Sequence, residues 1–183
     1  LPDWMDTPTP RRLRLDLENA LDRWVLLAYF NWSANPDKIS LFPNDFSLPD
    51  NPPCIAREFW TGGLYSLSSE TAAEITIPPH GVRLFAARLF SPDVPAYLGG
   101  DIHISQGLEV SGWQVAETSD HHTLEISLER PGLTQGCIDL YLPTPPHQAF
   151  LNGKPLPASE LQPRCYRFNL DFDGSAGILI QYS

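Results

Sequence analysis

The chain has 183 residues, of which 42% are hydrophobic and 19% charged, and this is the composition of a folded globular protein rather than a disordered one. Its formal net charge of −10 at pH 7 would repel a phosphate backbone, so nucleic acid is not expected as a partner. A membrane is not expected either, because no apolar run approaches the length of about eighteen residues that spans a bilayer, and no signal peptide is recognisable.

A short polar segment precedes the first strand patterns. Residues 1–10 are rich in proline, and we expect them to form a linker or docking arm. The chain opens with Leu and holds a single Met, which predicts a piece of a longer protein. Leu13, Leu15 and Leu17 alternate with charged residues, which predicts a half-buried strand. The run from Trp24 to Trp32 is apolar on both faces, which is typical of a strand covered on both sides.

Strand patterns separated by prolines continue to the end of the chain. Helical patterns are limited to one or two turns at 16–24 and one turn at 157–162. Asn152-Gly153 predicts a two-residue hairpin, because both central positions of a type I′ turn need positive φ. Further strands are predicted at 37–41, 55–60, 73–77, 81–90, 101–105, 109–117, 122–129, 136–142, 148–151, 165–170 and 176–182. The prediction is an all-β protein, an antiparallel β-sandwich of the Greek-key type with about a dozen short strands and little helix.

The sandwich region is expected to span 11–183. A seam at 91–101 either divides it into two sub-parts or forms one long cross-connection. The three cysteines are too few and too widely spaced for a disulfide framework or a zinc site, so we predict reduced and mostly buried thiols. Cys137 and Cys165 are the one pair for which a disulfide is considered.

No pattern of residues predicts a catalytic site, a metal site or a cofactor. The 22 acidic residues form pairs by chance, but none lies in a recognisable catalytic context, and motifs for nucleophilic or phosphate chemistry are lacking. His103 is interpreted as a strand residue satisfied by backbone or carboxylate, with a ligand or catalytic role as the alternative. His121 and His122 are adjacent, so on a strand they would face opposite sides, and we assign them to a solvated loop. His80 is assigned to a turn.

Tryptophans are the candidates for a binding surface, because an exposed indole can pack against the apolar face of a sugar ring. Trp24 and Trp32 are interpreted as core or interface anchors, since they belong to the doubly apolar strand. Trp60 is expected either between sheets or at a domain boundary. Trp113 is the best candidate for an exposed platform, but a core or interface position is the preferred interpretation for it as well. Asn31-Trp32-Ser33 has the form of an N-glycosylation acceptor, and a turn-capping Asn explains it equally well.

Residues 11–105 resemble the β-sandwich that follows the catalytic barrel in α-galactosidase or melibiase-like glycoside hydrolases. The run Tyr97–Gly107 also resembles an extension found in some bacterial members. Glu58 stands where the usual pattern has Asp before Phe-Trp. The motifs that carry the resemblance are Phe30-Asn31-Trp32-Ser33, Glu58-Phe59-Trp60-Thr61-Gly62 and Pro78-Pro79-His80-Gly81.

The resemblance implies a non-catalytic accessory role. In such proteins the strand ending in Phe-Asn-Trp comes directly after the barrel, so residues 1–10 would lead from an upstream catalytic barrel that this chain lacks. The region 11–183 would pack on that barrel and stabilise it, and the barrel would be the main partner. An α/β barrel needs about 200 residues or more and does not fit here beside the predicted strands. We therefore expect no activity from this chain alone, within a parent that is a glycoside hydrolase of the α-galactosidase type.

Two other functions stay open. In a carbohydrate-binding module, Trp113 and Trp60 would be the sugar-contacting residues, with weak binding. In an adhesion-type sandwich of a cell surface, no barrel would precede the chain. We also expect an apolar patch around Trp4 that is covered in the parent and that could drive self-association of the chain.

Overall fold

The computed structural model describes residues 9–19, 22–117 and 121–183, and these consist of strands joined by turns, with one 3₁₀ helix at Pro43–Phe46. All strand pairs are antiparallel, so the predicted all-β antiparallel class is confirmed. In these ranges no helix has the length and apolar character needed to cross a membrane. Trp4 and most of the predicted arm lie outside the described residues. The chain divides into two compact units, Leu1–Phe90 and Ser91–Ser183, called unit 1 and unit 2 below.

Unit 1 contains a five-stranded sheet and a two-stranded sheet. Its strands are β1 Arg12–Glu18, β2 Arg23–Phe30, β3 Asp37–Leu41, β4 Cys54–Glu58, β5 Leu64–Leu67, β6 Ala73–Ile77 and β7 Val82–Leu89. The large sheet has the order β1-β2-β7-β4-β5, and β3 pairs with β6 in the small one. The central strand β7 therefore lies between β2 and β4, and this arrangement positions the site described below.

The large sheet of unit 1 is buried on both faces. Val25, Leu27 and Tyr29 of β2 join one core cluster, which also contains Phe46 and residues of β3 and β6. Trp24 and Leu26, which point to the opposite face, join a second cluster. The period of two explains this result, because a strand that is apolar at every position presents apolar side chains to both faces. The sequence prediction of a doubly covered strand is confirmed.

Unit 2 is built on two long strands. Its strands are β8 Ala96–Gly100, β9 Val110–Glu117, β10 His122–Tyr141, β11 Pro146–Leu151, β12 Lys154–Pro155, β13 Ala158–Gln162 and β14 Cys165–Tyr182. β10 and β14 pair along almost their whole lengths of 20 and 18 residues. One half of this ribbon is flanked by β9 and β11, and the other half by β8 and β13.

The long ribbon is interrupted at one place, where Glu129 pairs with Ser175 and Leu133 with Asp173. Three residues of β10 thus face a single residue of β14, Gly174, and Gly132 and Gly174 both have positive φ. An irregularity of this kind bends a strand pair. Side chains from the two halves, such as Ile126 and Phe168, belong to one core cluster. One sheet therefore supplies both layers of the unit 2 core.

Several predicted elements need correction. The sequence predicted separate short strands at 122–129, 136–142, 165–170 and 176–182, but they are halves of β10 and β14, because Pro131-Gly132 and Gly174 produce a bend rather than a chain reversal. The helical turn predicted at 157–162 is strand β13. The segment 101–105 consists of bends and turns, and the strand lies just before it at β8.

Within 16–24, residues 16–18 belong to β1 and 23–24 to β2, and the described residues there form no helix. The sequence prediction also missed β5.

All three cysteines are free and buried. Cys137 lies opposite Asn169, whereas Cys165 lies opposite Tyr141. Four strand residues therefore separate the two thiols along the ladder, which corresponds to about 13 Å, and a disulfide needs Cα atoms less than about 7 Å apart. The pair considered from the sequence is not a disulfide in this fold.

Candidate functional site

Trp113, the preferred sugar platform of the sequence prediction, lies on the core side of β9. It pairs with Ile126, which is 1% exposed, and its indole packs partly buried against the unit 2 core. Paired residues of an antiparallel ladder point to the same face, so the burial of Ile126 determines the direction of Trp113. Its indole therefore contributes to the edge of the core, and a role in sugar binding stays a prediction.

Trp60, the second candidate, is 53% exposed at the tip of a tight turn. The turn follows β4 and is closed by two backbone bonds, from Gly62 N to Glu58 O and from Glu58 N to Gly63 O. The Glu58 carboxylate accepts hydrogen bonds from the Thr61 amide at 2.6 Å and the Thr61 hydroxyl at 2.7 Å. Gly62 supplies the positive φ that the turn requires. The motif Glu-Phe-Trp-Thr-Gly thus folds into a rigid turn that presents the indole.

Trp32 is 52% exposed, so of the core and interface positions expected for it, the core position is excluded. The strand β2 ends at Phe30, and the buried Asn31 then fixes the turn. The Asn31 amide nitrogen donates to the carbonyls of Asn35, Ile77 and Pro78, and its oxygen accepts from the Ser33 amide and hydroxyl. An amide that is buried and fully hydrogen-bonded is a turn cap. In the folded chain it is not available as a glycosylation acceptor.

The two exposed tryptophans lie at the same edge of the unit 1 sheet. Both β2 and β4 run antiparallel to β7, so both end beside the beginning of β7. One strand separates them, which places their axes about 10 Å apart. Each indole is supported by a phenylalanine: Trp32 stacks on Phe30 with ring centroids 5.6 Å apart, and Trp60 meets Phe59 edge-on at 5.5 Å. We call these four residues, Phe30, Trp32, Phe59 and Trp60, the aromatic edge.

The rings of the aromatic edge are held in place by contacts with the rest of unit 1. Phe30 and Phe59 both pack against the core cluster on the second face of the large sheet. The Trp32 indole N–H donates to the carbonyl of Pro10 at 3.0 Å. Each exposed indole therefore has a defined orientation and little conformational entropy to lose on contact with a partner.

The sheet face beneath the aromatic edge is not purely apolar. Arg88 is 2% exposed; its guanidinium lies 4.6 Å from the centroid of the Trp24 ring and donates to Asp22 at 2.8 Å. Arg57 is completely buried on the same face, and one contact of its guanidinium is with the carbonyl of Glu58. Buried guanidinium groups require such partners, because an unpaired charge is costly away from water.

His103 lies in a turn rather than on a strand. Its Nδ1 is 2.5 Å from the Ser105 hydroxyl and 3.9 Å from the Glu109 carboxylate. A serine hydrolase places serine and carboxylate on opposite ring nitrogens, whereas here both approach the same one. Glu109 is buried and also accepts hydrogen bonds from the Tyr97 hydroxyl and the Gly107 amide. The cluster holds the 101–109 turn in place, and its geometry is not that of a nucleophilic triad.

The remaining histidines have structural contacts. His80 has φ of 51° and occupies a turn, as predicted, and its amide donates to the Ser33 carbonyl. His122 does not lie in the predicted solvated loop, because it begins β10 and stacks on Tyr182 with ring centroids 5.3 Å apart. Among the described residues, no group of three His, Cys, Asp or Glu side chains could hold a metal ion.

Comparison with known proteins gives only remote similarity. No protein-family model matches the chain, and no curated protein matches it. One solved structure that it resembles is the isomalto-dextranase of Arthrobacter globiformis T6 complexed with panose, with 12% identity, a TM-score of 0.32, and coverage of 94% of this chain and 34% of that one. Another is a β-porphyranase of glycoside hydrolase family 86 from Bacteroides plebeius, with 13% identity, a TM-score of 0.28, and coverage of 97% and 34%. The chain spans about a third of the length of these two proteins.

The sequence prediction named one of the two exposed tryptophans as a binding candidate. It named Trp60 and interpreted Trp32 as a core or interface anchor. The signal for the pair was present in the sequence, because Trp60 directly follows Phe59 and Trp32 lies two residues after Phe30, each at the end of an apolar strand. What the sequence lacked was the strand order, which alone brings these two strand ends to one edge.

Proposed function

We propose that this chain is a non-catalytic accessory region of a glycoside hydrolase, of the α-galactosidase type, and that it packs on the catalytic domain and stabilises it. The proposal takes the family type from the motifs that end β2 and β4 and from the Pro-Pro-His-Gly turn before β7. The aromatic edge is the surface through which unit 1 contacts the catalytic domain.

The observation that carries the proposal is the pair of rigid, half-exposed indoles at one sheet edge. Tryptophan is among the residues most enriched at the energetic centres of protein interfaces, because it buries a large area at little entropic cost. The hydrogen bond from Trp32 to Pro10 brings the beginning of the described chain to this edge. If residues 1–10 lead from the catalytic domain, that domain lies next to the aromatic edge.

Fluorescence quenching tests this contact. In the isolated chain, acrylamide should quench Trp32 and Trp60 strongly, because both indoles are more than half exposed. In the parent protein both should be protected. Variants that keep either Trp32 or Trp60 as the single tryptophan, with every other tryptophan replaced by Phe, assign the quenching to one indole. Equal quenching of Trp32 and Trp60 in the isolated chain and in the parent would contradict docking at this edge.

An activity assay tests the non-catalytic role. The isolated chain should release no product from nitrophenyl α- or β-galactosides and glucosides, whereas the parent should hydrolyse at least an α-galactoside. Hydrolysis by the chain that persists through repurification and co-elutes with it would refute the proposal.

A second candidate function is carbohydrate binding, and the exposed indoles of the aromatic edge favour it. The same rings could stack on a saccharide instead of a protein surface. Acrylamide quenching distinguishes the two candidate functions. If the aromatic edge binds sugar, its indoles stay accessible to the quencher in the parent and become protected only when oligosaccharide is added.

A further inference from the structure

In addition to the aromatic edge of unit 1, the protein has a surface on unit 2 that can accept a small molecule. This surface is the solvent side of the half of the sheet formed by β9, β10, β14 and β11. Leu124, Ile126 and Leu128 of β10 point into the core, so the alternate residues Glu125 and Ser127 point outward. On β14 the outward positions opposite them are Leu179 and Gly177. The register of the ladder thus determines which side chains line this surface.

A missing side chain makes the surface concave. Gly177 of β14 lies opposite Ser127 of β10 and adds no side chain above the sheet there. Next to Gly177, Phe150 pairs with Leu179 and forms an apolar wall. The result is a shallow cavity of about 510 Å³, within the range of small-molecule sites. We call it the outer trough; it is lined by Glu125, Ser127, Phe150, Gly177 and Leu179, together with Gly153 and the backbone of neighbouring core residues.

Polar side chains surround the apolar part of the outer trough. Gln114 pairs with Glu125, and Gln148 pairs with Gln181 one row further along, so three amides and a carboxylate flank the trough. At its end Asn152 is held in place, because its side-chain oxygen accepts a hydrogen bond from the Gly177 amide at 2.8 Å. Amides offer both donors and acceptors, and the carboxylate offers strong acceptors.

We infer that the outer trough binds a short neutral oligosaccharide. A pyranose ring has an apolar face that can pack on Phe150 and hydroxyl edges that can pair with the amides, with Ser127 and with Glu125. A polyanionic ligand is disfavoured by Glu125 and by the net charge of −10. This inference deepens the carbohydrate-related function proposed above, but it does not depend on docking of the aromatic edge.

Native gel electrophoresis with soluble polysaccharide tests the inference on the whole chain. We use dextran, galactomannan and mixed-linkage β-glucan as probes, and we titrate the corresponding trisaccharides by calorimetry. At least one polymer should retard the chain. Retardation by none of the three polymers, together with no heat of binding for any trisaccharide, would overturn the inference.

Three variants locate the site. Gly177→Leu fills the trough without altering the core and should weaken binding at least tenfold, and Glu125→Ala should weaken it several-fold. Asn169→Leu is the matched control, because it also places an exposed leucine on β14 but in the other half of the ribbon, and it should bind as the parent sequence does. Thermal melts of each variant verify that it is folded.

The double variant Trp32→Ala/Trp60→Ala separates this site from the aromatic edge. If sugar binding is retained in the double variant and lost in Gly177→Leu, the outer trough is supported as the binding site. If sugar binding is lost in the double variant and retained in Gly177→Leu, the inference is overturned and the sugar site is assigned to unit 1. If Trp32 and Trp60 are not protected in the unaltered parent protein but the chain still binds sugar, the proposed packing role is contradicted and the outer trough stays supported.

Discussion

At the scale of single residues, the least expected feature is a buried ion pair in unit 2. Asp139 is completely buried, and Arg167 on the neighbouring strand β14 donates two hydrogen bonds to its carboxylate, at 2.8 and 2.7 Å. The bond to Asp139 raises the pKa of Arg167. In the sequence Asp139 alternates with the apolar residues Ile138 and Leu140, and this alternation predicts that its carboxylate faces solvent.

Removing the cation should destabilise the protein strongly. In Arg167→Ala the Asp139 carboxylate stays buried without its charged partner, and such losses cost about 3–5 kcal/mol of the free energy of unfolding. Urea denaturation measures the change, with the exposed Lys154→Ala as a control that should leave the midpoint unchanged. A loss below about 1 kcal/mol for Arg167→Ala would mean that solvent reaches Asp139.

Two buried groups predict a loss of stability at alkaline pH. Burial raises the pKa of the Cys54 thiol to about 12 and that of the Tyr29 hydroxyl to about 12. In the unfolded chain these groups lose their protons at about pH 8.5 and 10. Between those values and about pH 12 the native state therefore holds more protons than the unfolded state, so the free energy of unfolding falls as the pH rises.

Urea denaturation at a series of pH values from about 7 to 11 measures this effect. The double variant Cys54→Ala/Tyr29→Phe should be less stable at neutral pH but should show a shallower alkaline decline. If the decline has the same slope in the double variant and in the parent sequence, other groups are responsible for it.

At the scale of elements, the bend in the β10–β14 ribbon determines the shape of unit 2. The sequence contains its signals, Pro131-Gly132 and Gly174, but a local pattern does not distinguish a chain reversal from a bulge. The distinction depends on whether the two flanking segments continue to pair with the same partner strand. They do so here, and the four predicted short strands become one folded ribbon.

Alanine at the two bend glycines should cost stability through backbone conformation alone. Gly132 has φ of +74° and Gly174 of +71°, and an added Cβ would meet no atom within 4 Å at either position. Each substitution should therefore cost about 1 kcal/mol of the free energy of unfolding. Gly177→Ala is the matched control on the same ribbon, since φ there is not in the left-handed region. A cost for Gly177→Ala equal to the other two would show that the positive φ is not the cause.

At the scale of the whole molecule, each unit has its own core. The cluster of unit 2 draws only on residues between Tyr97 and Tyr182, and the clusters of unit 1 draw only on residues before Ser91. The ladders also stay within the units, because no strand pair of the described chain joins one unit to the other. Folding of unit 2 thus does not require strands from unit 1.

A fragment of residues 91–183 should fold by itself. We expect a circular dichroism spectrum dominated by strand and a cooperative thermal transition, because the core of unit 2 is complete within the fragment. Gly132→Ala should lower the melting temperature of this fragment as it does that of the full chain. A fragment without a cooperative transition would mean that the two units form one folding unit.

The fold class and much of the local structure follow from patterns within short stretches of the chain. The period of two predicted strands at 37–41 and 73–77 with their observed bounds, the doubly covered β2, and the turn at His80. These features follow from local chemistry: alternation of apolar residues, turn residues with positive φ, and the lack of a backbone donor in proline.

How these elements come together follows from strand order and register, which no local pattern predicts. Strand order brings Trp32 and Trp60 to one edge, and the register of β9 and β10 places Trp113 on the core side while Glu125 and Ser127 line the outer trough. It also separates Cys137 from Cys165 and buries Asp139. The physical reason is that these relations depend on pairing between residues far apart in the chain. A local hydrophobic pattern specifies which face of a strand is buried but not which strand lies beside it.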